Sequence, residues 1–283
     1  MDMSCDKLVN LSILDLEELE SVLRRQWDRN EIGCRTVQNY LNWLRVDSDI
    51  EDLKIFSLNG NWRNDGTFII IDCIYIYIYN FKERNDSMER ALRLLDWKRS
   101  YSICMFPERF KLSITNIFRE LKLETSLFTE DIIYYLPSDA ADRLNIDLPE
   151  GYRLAPLERK HAKQINANWE FKAEAETERF IVRLIDSGCN VTIGLFIESS
   201  DELIGWCLQS PSGEISLLSV DHRYRRKGFG ALLVTAFVKR IAANGLGSYA
   251  SVVLSNEPSR KLFKRLGFYE KEKVHWIVNK PKQ

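Results

Sequence analysis

Residues 214–243 read EISLLSVDHRYRRKGFGALLVTAFVKRIAA. A strand-like stretch enters and a basic turn with two glycines follows. Leu233, Phe237 and Ile241 then recur at four-residue spacing, the apolar stripe of an amphipathic helix. Gly228 and Gly230 let backbone come close to a ligand. The first N–H groups of a helix have no acceptor within it, and the helix start carries about +0.5 of effective charge. Arg225, Arg226 and Lys227 add formal charge beside them. The turn from Arg225 to Gly230 therefore reads as an anion site suited to phosphate. A solvated basic turn capping a helix has the same pattern, so the turn alone leaves both readings open. A Walker loop needs Gly-Lys-Ser/Thr where the chain has Gly228-Phe229-Gly230-Ala231, and a dinucleotide fingerprint needs glycine where Leu233 stands; neither fits. The entering strand breaks phase: Ile215 and Leu217 share one face, Leu218 and Val220 the other, as a β-bulge leaves it.

Outward from this run the second half alternates element types. Strands are expected at 152–157, 190–197, 203–208, 248–254 and 268–278, and helices at 161–169, 176–185 and 258–266, with Gly267 at a helix end. The first half alternates likewise. Leu16, Leu19 and Leu23 mark a helix over 14–27, and further helices are expected at 87–97 and 107–121. The window Phe68 to Tyr79, FIIIDCIYIYIY, alternates Ile and Tyr from Ile74 and reads as a long strand led in by the turn GNWRNDG at 60–66. Residues 101–105 and 132–136 look extended, and 136–151 reads as a linker or domain edge. Strands mixed with helices imply an α/β or α+β fold, a mixed sheet with flanking helices. The expected domains are 1–145 and 146–283.

The segment SVDHRYRRKGFG, 219–230, resembles the V-D-P-x-x-R-G-K-G-x-G signature of the GNAT superfamily of N-acyltransferases, with His222 where Pro is common. Asn256, Ser259, Phe263, Gly267 and Phe268 follow the N-x-x-A/S-x-x-x-Y/F-x-x-x-G-F pattern that ends the GNAT core. A closer resemblance is to the glycine N-acyltransferase-like family. It is carried by His161, Asn166 and Trp169, Glu178-Arg179-Phe180, Trp206, Gly213-Glu214, Tyr224-Arg225, Tyr249 and Asn256-Glu257, and covers most of 150–270. The first half is similar to that family's degenerate N-terminal GNAT-like lobe by element order only.

The resemblance implies a GNAT fold, as two GNAT-like lobes in tandem, with acyl-CoA or acetyl-CoA as cosubstrate and no metal. It implies that CoA phosphates are held by Arg225, Arg226, Lys227, Gly228, Phe229 and Gly230. Backbone at Leu218 and Val220 would hold the pantetheine and thioester, the Val220 N–H would polarise the acyl carbonyl, and Asn256 would contact the pantetheine or the outgoing thiol. Glu214, directly after Gly213, is the implied general base. The chemistry needs one, because an amine acceptor is mostly protonated near neutral pH. Without the resemblance, Glu214 reads as an exposed strand-edge residue. Phe263 stands where many members place a proton-donating Tyr, and it cannot donate. Trp169 and Trp206 fit an acyl pocket by type, but core packing is the commoner fate of Trp.

Composition narrows the classes. The 283 residues carry 40 Lys+Arg and 41 Asp+Glu, a net charge of −1, without the basic excess of a nucleic-acid binder. Six cysteines, at 5, 34, 73, 104, 189 and 207, form no C-x-x-C pair and read as reduced thiols. The N-terminus has neither a secretory nor a transit pattern, and the most apolar window is too short for a membrane helix, which needs about 20 residues. A cytoplasmic enzyme is expected: an N-acyltransferase moving groups other than amino-acyl groups onto a small amine or amino acid. Its alternative is a GNAT-fold module that binds acyl-CoA or a partner without turnover. A protein acetyltransferase would need a peptide groove that no residue advertises.

Overall fold

In the computed structural model, which describes residues 6–169 and 174–281, the window Phe68 to Tyr79 is a hairpin and not one long strand. Cys73 takes a left-handed φ of 55° and turns the chain, so Phe68 pairs with Tyr79 and Asp72 with Tyr75. Every residue from Phe68 to Cys73 and from Ile76 to Tyr79 is buried. An alternating pattern that is buried on both faces holds no marker for a turn. The GNWRNDG segment, expected as a turn, holds a one-turn helix over Trp62–Asp65.

The chain forms two units, Met1–Asp131 with Lys273–Gln283, and Ile132–Glu272. The first runs β1 (Leu8–Asn10), α1 (Ile13–Arg24), α2 (Trp27–Val46), β2 (Leu53–Leu58), α3 (Trp62–Asp65), β3 (Phe68–Asp72), β4 (Tyr75–Tyr79), α4 (Asp86–Arg93), β5 (Ser102–Pro107), α5 (Glu108–Glu120) and the start of β6 (Thr125–Leu136). The second runs β7 (Tyr152–Ala155), α6 (Ala162–Ala167), α7 (Glu174–Asp186), β8 (Thr192–Ile197), β9 (Leu203–Gln209), β10 (Ile215–Val220), α8 (Phe229–Ala242), β11 (Ser248–Val253), α9 (Glu257–Arg265) and the start of β12 (Tyr269–Asn279). Apart from the short α3, the element order is the same in both: β, α, α, three strands, then α, β, α, β. The first unit orders its strands β1-β2-β3-β4-β5 and adds the C-terminal part of β12, where Val274 to Val278 pair antiparallel with β5. The second orders them β7-β8-β9-β10-β11 and adds the C-terminal part of β6. Each sheet is mixed, with one parallel pair, β4 with β5 and β10 with β11.

Local chemistry accounts for the helices. Ser12 and Asp15 form a reciprocal cap on α1, and Leu16, Leu19 and Leu23 are wholly buried. On α8 the stripe Leu233, Phe237 and Ile241 is buried, and Val234 and Val238 widen it. Each such side chain contributes about 1.5–3 kcal/mol by leaving water. Residues 27–46 form α2, which buries Asn30, Glu31 and Arg35 among its apolar residues. Glu31 and Arg35 pair at 2.5 Å, and Asn30 donates to the Leu23 carbonyl at 3.1 Å.

Gly33 on α2 lies against the Tyr79 ring: a Cβ there would stand 2.8 Å from Cγ and Cδ1. The ring has little room to yield, because the Tyr79 hydroxyl bonds the Arg29 carbonyl at 2.9 Å and Asn30 Oδ1 at 3.0 Å. Gly33→Ala gains about 0.8–1 kcal/mol of helix propensity but overpacks this contact at a cost of about 1–3 kcal/mol. The expected net result is a lower denaturation midpoint. A midpoint raised above that of the native protein would mean that Tyr79 repacks freely.

Candidate functional site

Strand β10 carries the bulge that its phase break foretells. It pairs with β9 at Ile215↔Gln209 and Ser216↔Leu208, then resumes at Ser219↔Trp206 and Val220↔Gly205. Between them Leu217 takes a φ of 53°, a left-handed conformation rare for a branched residue. On the other side β10 meets β11 only at Ile215↔Ala250, with no further pair among the described residues. The two parallel strands therefore part just after β10 begins. Asp221 donates its N–H to the Ile204 carbonyl of β9 at 2.8 Å. Successive amides of a strand alternate in direction, so the Val220 N–H faces the opposite side, where β11 has separated.

The chain then turns through His222–Tyr224 to Gly228, which caps α8 at a φ of 85°. Only glycine adopts that conformation without strain. No side chain caps the helix, and its first backbone bond is Leu232 N–H to the Gly228 carbonyl at 3.1 Å. The amides of Phe229, Gly230 and Ala231 thus precede the first intrahelical acceptor. A Cβ at Gly228 would meet nothing within 4 Å. That open space beside the helix start, with Arg225, Arg226 and Lys227 exposed around it, fits an anionic group. Arg225 donates from Nε to the Val220 carbonyl at 3.0 Å, tying the turn to the end of the bulged strand. Phe229 contributes backbone alone, because its ring is buried against Tyr152 at 4.9 Å.

Asp221 holds the turn from below. Its carboxylate accepts the Arg223 N–H at 2.9 Å and pairs with the Arg223 guanidinium at 2.9 Å, which brings its carboxyl down to about 2. A carboxyl whose folded value lies below its unfolded value of about 3.9 stabilises the fold above that pH, and the contribution is lost as pH falls. For Asp221 the window runs from about pH 4 down to about 2. Asp221→Asn is expected to flatten stability across this window relative to the native protein. Parallel acid-denaturation curves of the two proteins would contradict it.

Glu214 lies directly before β10 and is 2 % exposed. The reading of it as an exposed strand-edge residue is overturned: a carboxylate that leaves water at such cost needs a role or partners. Ser210 and Ser212 beside it are buried as well. Asn256 caps α9, its Oδ1 accepting the Ser259 N–H at 3.2 Å, and is exposed. Phe263 is 2 % exposed and packs between Tyr134 and Phe268, at 6.0 and 5.1 Å. Trp206 is buried in the core, while Trp169 is half-buried. His161 is buried and accepts the Glu158 N–H, and burial holds its imidazole below the usual value. His222 is exposed beside Asp221, and His275 bonds Glu108 at 2.6 Å in the first unit. Cys5 lies outside the described residues. Cys34, Cys73, Cys104 and Cys207 are buried, Cys189 is half-buried, and burial pushes the Cys34 thiol up to about 12. Among the described residues no three metal-ligating side chains converge, and no helix is long and apolar enough to cross a membrane.

The first unit has the matching place in its element order but different chemistry. There β4 and β5 pair at Tyr75↔Ser102 and Ile76↔Ile103, and α4 follows β4. The connecting residues 80–85 contain no glycine, and the first turn of α4 carries Asp86 and Glu89, which repel an anion. Arg109 also ties this loop down. Its guanidinium donates to Asn80 Oδ1 at 3.1 Å, to the Lys82 carbonyl at 2.9 Å and to the Asn80 carbonyl. Sequence reading left Arg109 aside; a lone Arg at a helix start gives no sign of the loop it fastens.

Comparison with known proteins agrees with this geometry. Residues 192–277 match the family described as FR47-like protein. The human glycine N-acyltransferase-like protein 1 is 21 % identical over 206 residues, 66 % of this chain and 67 % of that protein. A Drosophila melanogaster protein solved as a structural genomics target superposes with a TM-score of 0.86 at 20 % identity, covering 99 % of this chain and 100 % of that one. A tandem GNAT protein from the clavulanic acid biosynthesis pathway superposes with a TM-score of 0.58 at 13 % identity, covering 99 % and 100 %. Residues 192–277 thus match the FR47-like family, and the chain has the fold of the GNAT structures on which it superposes.

Proposed function

We propose that the protein transfers an acyl group from a CoA thioester to the amine of a small acceptor, glycine or another amino acid. The observation that carries this reading is the start of α8. There uncapped amides, the open space at Gly228 and three exposed cations meet the end of a bulged strand that has parted from its neighbour. The likeness to a human glycine N-acyltransferase-like protein supports the acceptor class.

The α8 amides with Arg225, Arg226 and Lys227 take the CoA phosphates. Backbone at Leu218 and Val220 orients the thioester, and the Val220 N–H donates to the acyl oxygen as negative charge develops there. Asn256 spends Oδ1 on its cap and turns its amide nitrogen to the pantetheine or the thiol. Glu214 accepts the proton of the amine, directly or through water. The amine nitrogen bonds to the acyl carbon, the carbon–sulfur bond breaks, and the departing thiolate takes up the second proton that the nitrogen loses, giving the free thiol. A thiol has a pKa of about 8.5, so departure needs little help from a donor. The first unit binds no CoA, because its matching loop is fastened by Arg109 and faced by Asp86.

A second reading, a module that holds acyl-CoA without turnover, is favoured by one observation: the buried Phe263 at the position where a Tyr donor would serve. One experiment separates the two. Thiol release is followed for acetyl-CoA and longer acyl-CoAs against pooled amines and amino acids. Release with a particular amine supports the enzyme. Binding of CoA without release in any pool supports the module. No binding at all removes both.

A further inference from the structure

The carboxylate of Glu214 sits behind a glycine, and a glycine before a functional side chain is a source of slack. Gly213 takes a φ of 95° in the turn between β9 and β10. Within the turn, Gly213 donates to the Ser210 carbonyl at 2.9 Å, and Ser210 donates to the Glu214 carbonyl at 3.0 Å. These bonds close the turn on itself but do not fix it to the parting of β10 and β11. One side chain does. Tyr249 of β11, 2 % exposed, donates its hydroxyl to the carbonyl of Ser212, the peptide that joins Ser212 to Gly213. Its neighbour Ala250 pairs with Ile215. Glu214 is therefore gripped on both sides by consecutive residues of β11: through Ser212 before it and through Ile215 after it.

We propose that Tyr249 is a positioning residue for Glu214, holding the 210–213 turn so that the carboxylate keeps its place where β10 and β11 part. The proposal rests on the reading of Glu214 as the base. A general base must lie within hydrogen-bond reach of the proton it takes, and a small misplacement costs a large factor in rate. A strand-borne anchor gives more precision than a loop can supply alone. The route from the Tyr249 hydroxyl to Glu214 runs through the turn, by way of the Ser212 carbonyl.

Tyr249→Phe removes the hydroxyl and keeps the ring. A double-mutant cycle with Glu214→Gln tests the coupling, using the donor–acceptor pair that turns over in the panel above. Tyr249→Phe is expected to lower kcat roughly 10- to 100-fold with the KM for acyl-CoA unchanged, and to lower it no further when Glu214 is already Gln. Amide hydrogen exchange, which needs no substrate, is expected to quicken over 210–215 while the α8 amides keep their protection. An equal loss of kcat in both backgrounds would overturn the proposal, since Tyr249 would then act on something other than Glu214. So would an unchanged kcat in Tyr249→Phe when Glu214→Gln is slow. If Glu214→Gln keeps full activity, the base reading fails and this proposal with it. If no pair turns over, unchanged exchange over 210–215 still overturns the anchor.

Discussion

Gly228→Glu is expected to abolish CoA binding while the fold survives. Gly228 has a φ of 85° and open space around its Cβ position, so the new side chain meets no protein atom and costs the strain of a left-handed residue, about 1–2 kcal/mol. Against a fold that is stable by about 5–15 kcal/mol, that loss is tolerated. The carboxylate offsets part of it, because it stands at the start of α8, where negative charge is favourable. For the same reason it competes with a phosphate: it occupies the ligand's space, accepts from the same amides and repels the ligand's charge. Each charge-assisted hydrogen bond lost is worth about 1.5–3 kcal/mol, roughly tenfold or more in affinity. Several are lost together. Gly230→Glu is expected to act likewise, its Cβ lying 3.6 Å from Leu262 Cδ2, an ordinary packing distance. Titration calorimetry with CoA itself reads the effect, and an unchanged affinity in either variant would place the site elsewhere.

If Glu214 is the general base, Glu214→Gln is expected to slow turnover about 10²–10⁴-fold, the usual consequence of removing such a group. The substitution keeps the size of a side chain that is 2 % exposed and therefore leaves the packing around 210–215 intact. It keeps one hydrogen-bond acceptor and removes the proton sink. The KM for acyl-CoA is expected to hold, since the carboxylate serves the amine. Raising the pH restores part of the lost rate, because more of the acceptor amine is then already neutral. Rates of the native protein and the variant from about pH 7 to about pH 9 provide the check, an acceptor amine of ordinary pKa being mostly protonated at the lower end. Equal rates across the range would leave the GNAT fold standing and remove Glu214 from the chemistry.

The run from strand β10 through the Gly228 turn into α8 is legible in the amino-acid sequence because all of its signals are local. A bulge shows as a slip in alternation between Leu217 and Leu218, a helix start as glycine and charge, and a core face as Leu233, Phe237 and Ile241. Each depends on residues a few positions apart. The same holds for α1, whose cap and stripe lie within Ser12 to Leu23. Other features depended on partners distant in the chain. Helix α2 hides from pattern reading because polar residues that it buries bond Leu23, Tyr79 and each other. The turn at Cys73 is hidden within a twelve-residue run, apolar apart from Asp72, that is buried almost throughout. Glu214 looks like a surface residue until β11 brings Tyr249 to the turn before it, and Arg109 looks ordinary until α5 lays it across the 80–85 loop. Propensity and periodicity are properties of neighbours along the chain, so the sequence alone determined the bulged strand, the glycine turn and the helix behind it. Burial and the satisfaction of buried polar groups are properties of neighbours in space. Only the tertiary structure, therefore, decided that Glu214 is enclosed behind a turn bonded by Tyr249, and that Arg109 bonds the first unit's matching loop.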